Sequence, residues 1–213
     1  MTFASDNSIT INLIVMKKFL LIAAAALIGF NAANAQSPED VSKTWEKTIT
    51  VPESQATIIE KLFTAWGKQF PGDYVDAFAD FKKKPTWYTN GEGPYIIDFA
   101  PKNGYLNITA TVQLELALTA VYWNLPNGNK LFGLTINECH EGGEGPDDAE
   151  CEFALAFYEY NASKGTMTPR PDLVKKVLGQ TDYVNLPKEG RDLEYYDRKS
   201  ESHKTIKWTG NGF

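Results

Sequence analysis

Residues 112–138 read VQLELALTAVYWNLPNGNKLFGLTINE, and apolar side chains recur there at every second position. Val112, Leu114, Leu116, Leu118 and Ala120 point one way, while Gln113, Glu115, Ala117 and Thr119 point the other. A period of two marks a β-strand with one buried face. Leu125–Asn129 is a tight turn built on Asn-Gly, and beyond it Phe132, Leu134 and Ile136 repeat the alternation. The two strands are therefore antiparallel neighbours.

The same grammar extends to both sides. Upstream, PYIIDFA (94–100) and YLNITA (105–110) flank Pro101-Lys102-Asn103-Gly104, another hairpin signal. Downstream, EFALAFYEY (152–160) sets Phe153, Leu155 and Phe157 against Ala154, Ala156, Tyr158 and Tyr160, and NASKG turns the chain into TMTP. PDLVKKVL (171–178) reads as one helical turn or a connector, and LEYYD and HKTIKW form a last pair of strands around Arg198–Ser202. Together these segments make an antiparallel meander of six to eight strands.

Before Pro94 the period changes to about 3.6. Ile59, Leu62, Phe63, Trp66 and Phe70 form one apolar stripe, which predicts an amphipathic helix over 53–69 behind Pro52. Tyr74, Ala77, Phe78 and Phe81 predict a shorter helix over 73–82, with Lys82–Lys84 at its negative end and Pro85 closing it. WEKTITV around Trp45 suits a short edge strand. The expected fold class is α+β, with N-terminal helices packed on an antiparallel β-meander sheet; a β-sandwich preceded by a loose helix is the alternative.

Of the 213 residues, the first 35 are not expected in the mature protein. MKKFLLIAAAALIGFNAANA from Met16 has two lysines, an apolar centre from Phe19 to Phe30 and a small-residue end at Ala33-Asn34-Ala35. That order is a cleaved signal peptide. Residues 1–35 are thus an upstream extension and a signal starting at 16, and 36–213 a single globular domain, exported to the periplasm or the cell exterior. The formal net charge of −6 becomes one unit more acidic when Lys17, Lys18 and Asp6 are removed. Such a balance excludes a nucleic-acid partner, whose phosphates need a basic footprint. The mature part contains no transmembrane segment, having no apolar run of about 20 residues. No cysteine lies near the cleavage site to take a lipid.

Cys139 and Cys151 bracket the acidic loop ECHEGGEGPDDAEC. In an oxidising compartment a disulfide is the first reading, ahead of free thiols and of a zinc site using Cys139, His140 and Cys151 with His203. If Phe132 and Phe153 face one shared core, alternation puts the two cysteines on opposite faces, and a bridge then needs the loop to begin before one of them. Glu141, Glu144, Asp147, Asp148 and Glu150 supply enough oxygens for a calcium loop, but their spacing does not match the helix–loop–helix calcium motif and a solvated turn between strands is the better reading.

Motifs for hydrolases and nucleotide binding are absent: there is no G-x-S-x-G, H-E-x-x-H, S-x-x-K or Gly-rich phosphate loop. Glu115 and Glu152, on the second sheet face, are the paired carboxylates a glycoside hydrolase would need. On the assumption of one core face, Trp123, Tyr158 and Tyr160 lie outside the core and offer rigid aromatic surface to a ligand. The alternative is that the first helix or loops cover them. The expectation is an exported domain acting as a non-enzymatic binding or envelope-associated module, monomeric, without cofactor or metal, with a glycan or peptide ligand. The alternative is a carbohydrate-active hydrolase.

LAFYEYNASKGTMTP, NLPKEGRDLEYYD and IKWTGNGF resemble phrases in uncharacterised secreted proteins of Bacteroidetes-type gut bacteria. The resemblance covers the last third of the chain and implies an exported bacterial protein. It carries over no catalytic residue.

Overall fold

A computed structural model describes residues 45–111, 116–140, 150–197 and 199–213. The segment expected as a signal peptide, Val112, Leu114, Glu115 and the loop acids Glu141, Glu144, Asp147 and Asp148 lie outside the described residues.

The elements follow the order β1 (Ile49–Thr50), α1 (Ile58–Gln69), α2 (Asp73–Phe81), α3 (Pro85–Thr89), β2 (Tyr95–Ala100), β3 (Tyr105–Ala110), β4 (Leu116–Asn124), β5 (Lys130–His140), β6 (Glu150–Asn161), β7 (Thr166–Pro169), α4 (Pro171–Leu178), β8 (Leu193–Asp197) and β9 (Ser202–Ile206). Seven strands form one antiparallel sheet in the order β1-β7-β6-β5-β4-β3-β2, and β8 and β9 pair separately. The meander from β2 to β7 follows the sequence expectation, and the α+β class with it. The helices are not confined to the N-terminal end. β1 precedes them and closes one edge against β7, and α4 follows β7 as an eight-residue helix.

Two helix boundaries differ from expectation. α1 begins at Ile58 behind Thr57, leaving Pro52 and Glu53 outside it. Its apolar stripe starts only at Ile59, so the five residues before it have nothing to bury and gain nothing from helical geometry. Pro85 opens α3 at its first turn rather than merely ending α2, as a residue with no N–H to lose can.

Both faces of the large sheet are buried, which the single-face reading did not foresee. In register across β3 to β6, Leu106, Ala120, Leu134 and Ala156 share one face. They join Ile59, Leu62, Phe63 and Trp66 of α1 and Phe78 of α2 in one buried cluster. The opposite face carries Val121, Leu131, Leu155 and Phe157, clustered with Leu173 and Val177 of α4, Leu186, Leu193, Ile206 and Phe213. This explains why Phe153 to Tyr158 is an unbroken buried apolar run: a strand covered on both sides needs no polar alternate positions.

The cysteine geometry follows from the same fact. Phe132 and Phe153 belong to different faces, so the expected face mismatch disappears. Cys139 and Cys151 are register partners, with Cα atoms 4.0 Å apart, and are joined by a disulfide. With both sulfurs in that bond, the zinc reading fails. Among the described residues no group of three or more His, Cys, Asp or Glu side chains is placed to hold a metal.

Candidate functional site

The three aromatics expected as an exposed platform are core residues. Tyr158 and Tyr160 are 0% and 3% exposed on the helical face, in the cluster that α1 covers, and Tyr158 Oη donates to the Trp45 carbonyl. Trp123, 5% exposed, lies on the other face, stacked on Trp208 at 5.7 Å and edge-on to Phe213 at 5.2 Å. Burying a ring outweighs leaving it wet wherever another layer can cover it, and here both faces are covered.

The carboxylates are rearranged as well. Glu115 lies outside the described residues, and Glu152 faces Glu138 across β5 and β6 instead. Facing residues of paired strands hold Cβ atoms about 4.5–5.5 Å apart. Tyr74 and Tyr95, rings 6.0 Å apart, feel the charge of Glu138. Burial, then Asp73 and Glu138, push the Tyr95 phenol up to about 12, and burial with Glu138 lifts Tyr74 further still. Glu150 enters β6 beside the disulfide, while the other acids of the proposed calcium loop lie outside the described residues.

A polar pocket of about 160 Å³ lies at the far end of the sheet. The β2–β3 turn contributes Lys102 and Asn103, and the end of β4 contributes Tyr122, Trp123 and Asn124. Gly190 and Arg191, on the approach to β8, close it. The turn is held by Asn103 N–H donating to the Ala100 carbonyl at 3.0 Å. Its last residue, Gly104, has φ +70°, and a Cβ there would sit 2.6 Å from the Tyr122 ring. Glycine is thus required twice over, for the backbone angle and for the ring beside it.

Trp123 ties the pocket to the core. A buried indole needs an acceptor, and its Nε1 donates to the Arg191 carbonyl at 3.1 Å, fixing the 190–191 segment against β4. Asp192 adds a second anchor, accepting from Lys207 Nζ at 2.8 Å and from the Trp208 N–H at 2.9 Å. These bonds hold its carboxyl below the ordinary aspartate range. The indole also needs Gly133 beneath it, since a Cβ there would lie 2.8 Å from Trp123 and 3.0 Å from Phe157. Gly133→Val should therefore cost about 3 kcal/mol through overpacking. Urea denaturation followed by tryptophan emission measures this, and an unchanged midpoint would show that the indole does not pack there.

Neighbouring charges are mostly committed. Asp98 accepts from Lys188 at 2.6 Å, and Asn124 Oδ1 from Lys130 at 2.6 Å. Glu159 is held below the usual carboxylate range by Asn129, Asn127 and Arg170. Lys102 and Arg191 make no side-chain hydrogen bond or ion pair with any described residue. The pocket therefore offers two cations, the amides of Asn103 and Asn124, and one wall anchored in the core.

A second depression, of about 110 Å³, lies between β7 and α4 beside Trp45. Its Arg170 is already bound to Asp172 at 2.8 Å and to Glu159 at 3.2 Å.

The sequence expectation of Trp123 as an exposed platform is replaced by a buried ring at the pocket wall, and the other lining residues carry no sequence signal of their own. Lys102, Asn103 and Gly190 are ordinary turn and loop residues and Asn124 ends a strand, and turn chemistry uses the same side chains as ligand chemistry. Only the folded chain brings the three segments to one place. Neither a family model, a curated protein nor a solved structure matches the chain.

Proposed function

We propose that the protein is an exported, non-enzymatic binding module, taking a small polar ligand in the sheet-end pocket. The observation that carries this reading is the set of uncommitted polar groups, Lys102, Arg191, Asn103 and the Nδ2 of Asn124, whose Oδ1 is taken by Lys130, beside a tryptophan locked into the core. Such a site is preorganised, so a ligand does not have to order it. Export is supported by the signal sequence from Met16 to Ala35 and by the Cys139–Cys151 disulfide. No helix among the described residues is long and apolar enough to cross a membrane.

A screen of the protein from Gln36 onward against glycan and peptide arrays tests the reading. Binding should change tryptophan emission, and Asn103→Ala and Asn124→Ala should each weaken it about tenfold, the cost of one well-made hydrogen bond to a polar ligand. Affinity untouched by both substitutions would place the ligand elsewhere. The hydrolase reading keeps one supporting observation, the facing pair Glu138 and Glu152. Turnover of an array glycan, lost in Glu152→Gln, would favour it instead.

A further inference from the structure

We propose that the sheet-end pocket selects for an oxyanion, and that its ligand is an acidic saccharide carrying a carboxylate or sulfate on a sugar-sized ring. The proposal rests on the binding reading above and adds the charge and class of the ligand.

The first support is an asymmetry of charge. The chain carries 27 acidic against 21 basic side chains, yet the pocket lining includes Lys102 and Arg191 and no carboxylate. An acidic surface repels anions in general, so an anion is admitted only where the local sign is reversed. The second support is that two of the carboxylates near these cations, Asp192 and Asp98, are already committed to other partners, while the exposed Glu189 lies outside the pocket lining. Asp192 is held by Lys207 and the Trp208 N–H, and Asp98 by Lys188.

The third support is geometric. Trp123 Nε1 captures the Arg191 carbonyl, so the backbone that carries the guanidinium is fixed before any ligand arrives. Lys102 belongs to a short turn held by backbone hydrogen bonds at 3.0 and 3.2 Å. A guanidinium fork meets a carboxylate or sulfate through two parallel bonds, and the ammonium adds a second, less directional charge. The Asn103 amide and the free Nδ2 donor of Asn124 suit ring hydroxyls, which donate and accept. A volume of about 160 Å³ has room for one such ring.

The test is calorimetric titration of the disulfide-bonded protein from Gln36 onward with three probes: oligogalacturonate, a sulfated disaccharide and neutral galacto-oligosaccharide, with sodium acetate as the free-anion control. At least one acidic saccharide should bind tenfold or more tightly than the neutral one, and weaken as salt rises. Arg191→Gln and Lys102→Gln should each lower that affinity about tenfold, and Arg191→Lys should fail to restore it fully because it keeps the charge but loses the fork. Both residues are exposed, so unchanged thermal unfolding should confirm that the variants fold. Equal binding of neutral and acidic saccharides, lost in Asn103→Ala, would overturn the oxyanion proposal while leaving the binding reading intact. Acetate competing at the same concentration as the saccharide would overturn the saccharide part. Failure of every saccharide to bind would overturn the proposal, and the array screen would then decide separately whether the pocket binds anything else.

Discussion

Ile97→Asp should unfold the protein, while Ile96→Asp, one residue earlier, should leave it folded. The residues are identical in kind and adjacent in sequence, and both lie in β2, yet Ile97 is 2% exposed and Ile96 45%. Ile97 pairs with Ile108 and belongs to the cluster beneath α1 and α2, which includes Leu106, Leu118 and Phe78. A carboxylate there has no cation or donor to meet and should cost about 4 kcal/mol or more, a large part of the stability of any domain. At Ile96 the new carboxylate stands in water on an edge strand, and the change should stay within about 1 kcal/mol. Urea midpoints of the two variants measure the difference directly. Equal midpoints would mean that β2 does not present its faces as described.

Reducing the Cys139–Cys151 bridge should be the next largest effect. The bond closes a loop with a sequence separation of 12, and opening it returns about 3 kcal/mol of loop-closure entropy to the unfolded chain. For a chain of this size that corresponds to a fall of about 6–12 °C in the unfolding temperature. Cys151 is exposed and Cys139 half-buried, so a thiol reductant can reach the bond without prior unfolding. Intact mass measured on envelope-derived protein, alkylated without reduction, should show a chain beginning at Gln36 and no modified cysteine. Two alkylated thiols in that sample, or a melting temperature indifferent to reductant, would sink the disulfide as a stabilising element.

These two expectations differ in how much of them is visible before folding. The alternation of YIID predicts that Ile96 and Ile97 face opposite ways, but not which of them is covered. Spacing and an oxidising compartment favour a bridge between Cys139 and Cys151, yet alternation with Phe132 and Phe153 on a common core allows it only if the loop begins before one of the cysteines. The assumption of one buried face misplaced Tyr158, Tyr160 and Trp123 for the same reason.

What the sequence determined by itself is local: the period-two runs from Tyr95 to Met167, the Asn-Gly turns at 103–104 and 127–128, and the stripe from Ile59 to Trp66. Each depends on residues within a few positions of one another, through backbone geometry and the side on which apolar groups fall. What only the tertiary structure decided is which surfaces meet. The segment from α4 to Phe213 covers the second sheet face, and nothing in an alternating strand says how many layers will pack on it. Lys102, Trp123 and Arg191 likewise line one pocket because three chain segments meet at one end of the sheet. Contacts between residues as far as 113 positions apart, such as Tyr158 and Trp45, are set by the packing of whole layers, where burial of area rather than local pattern chooses the partner.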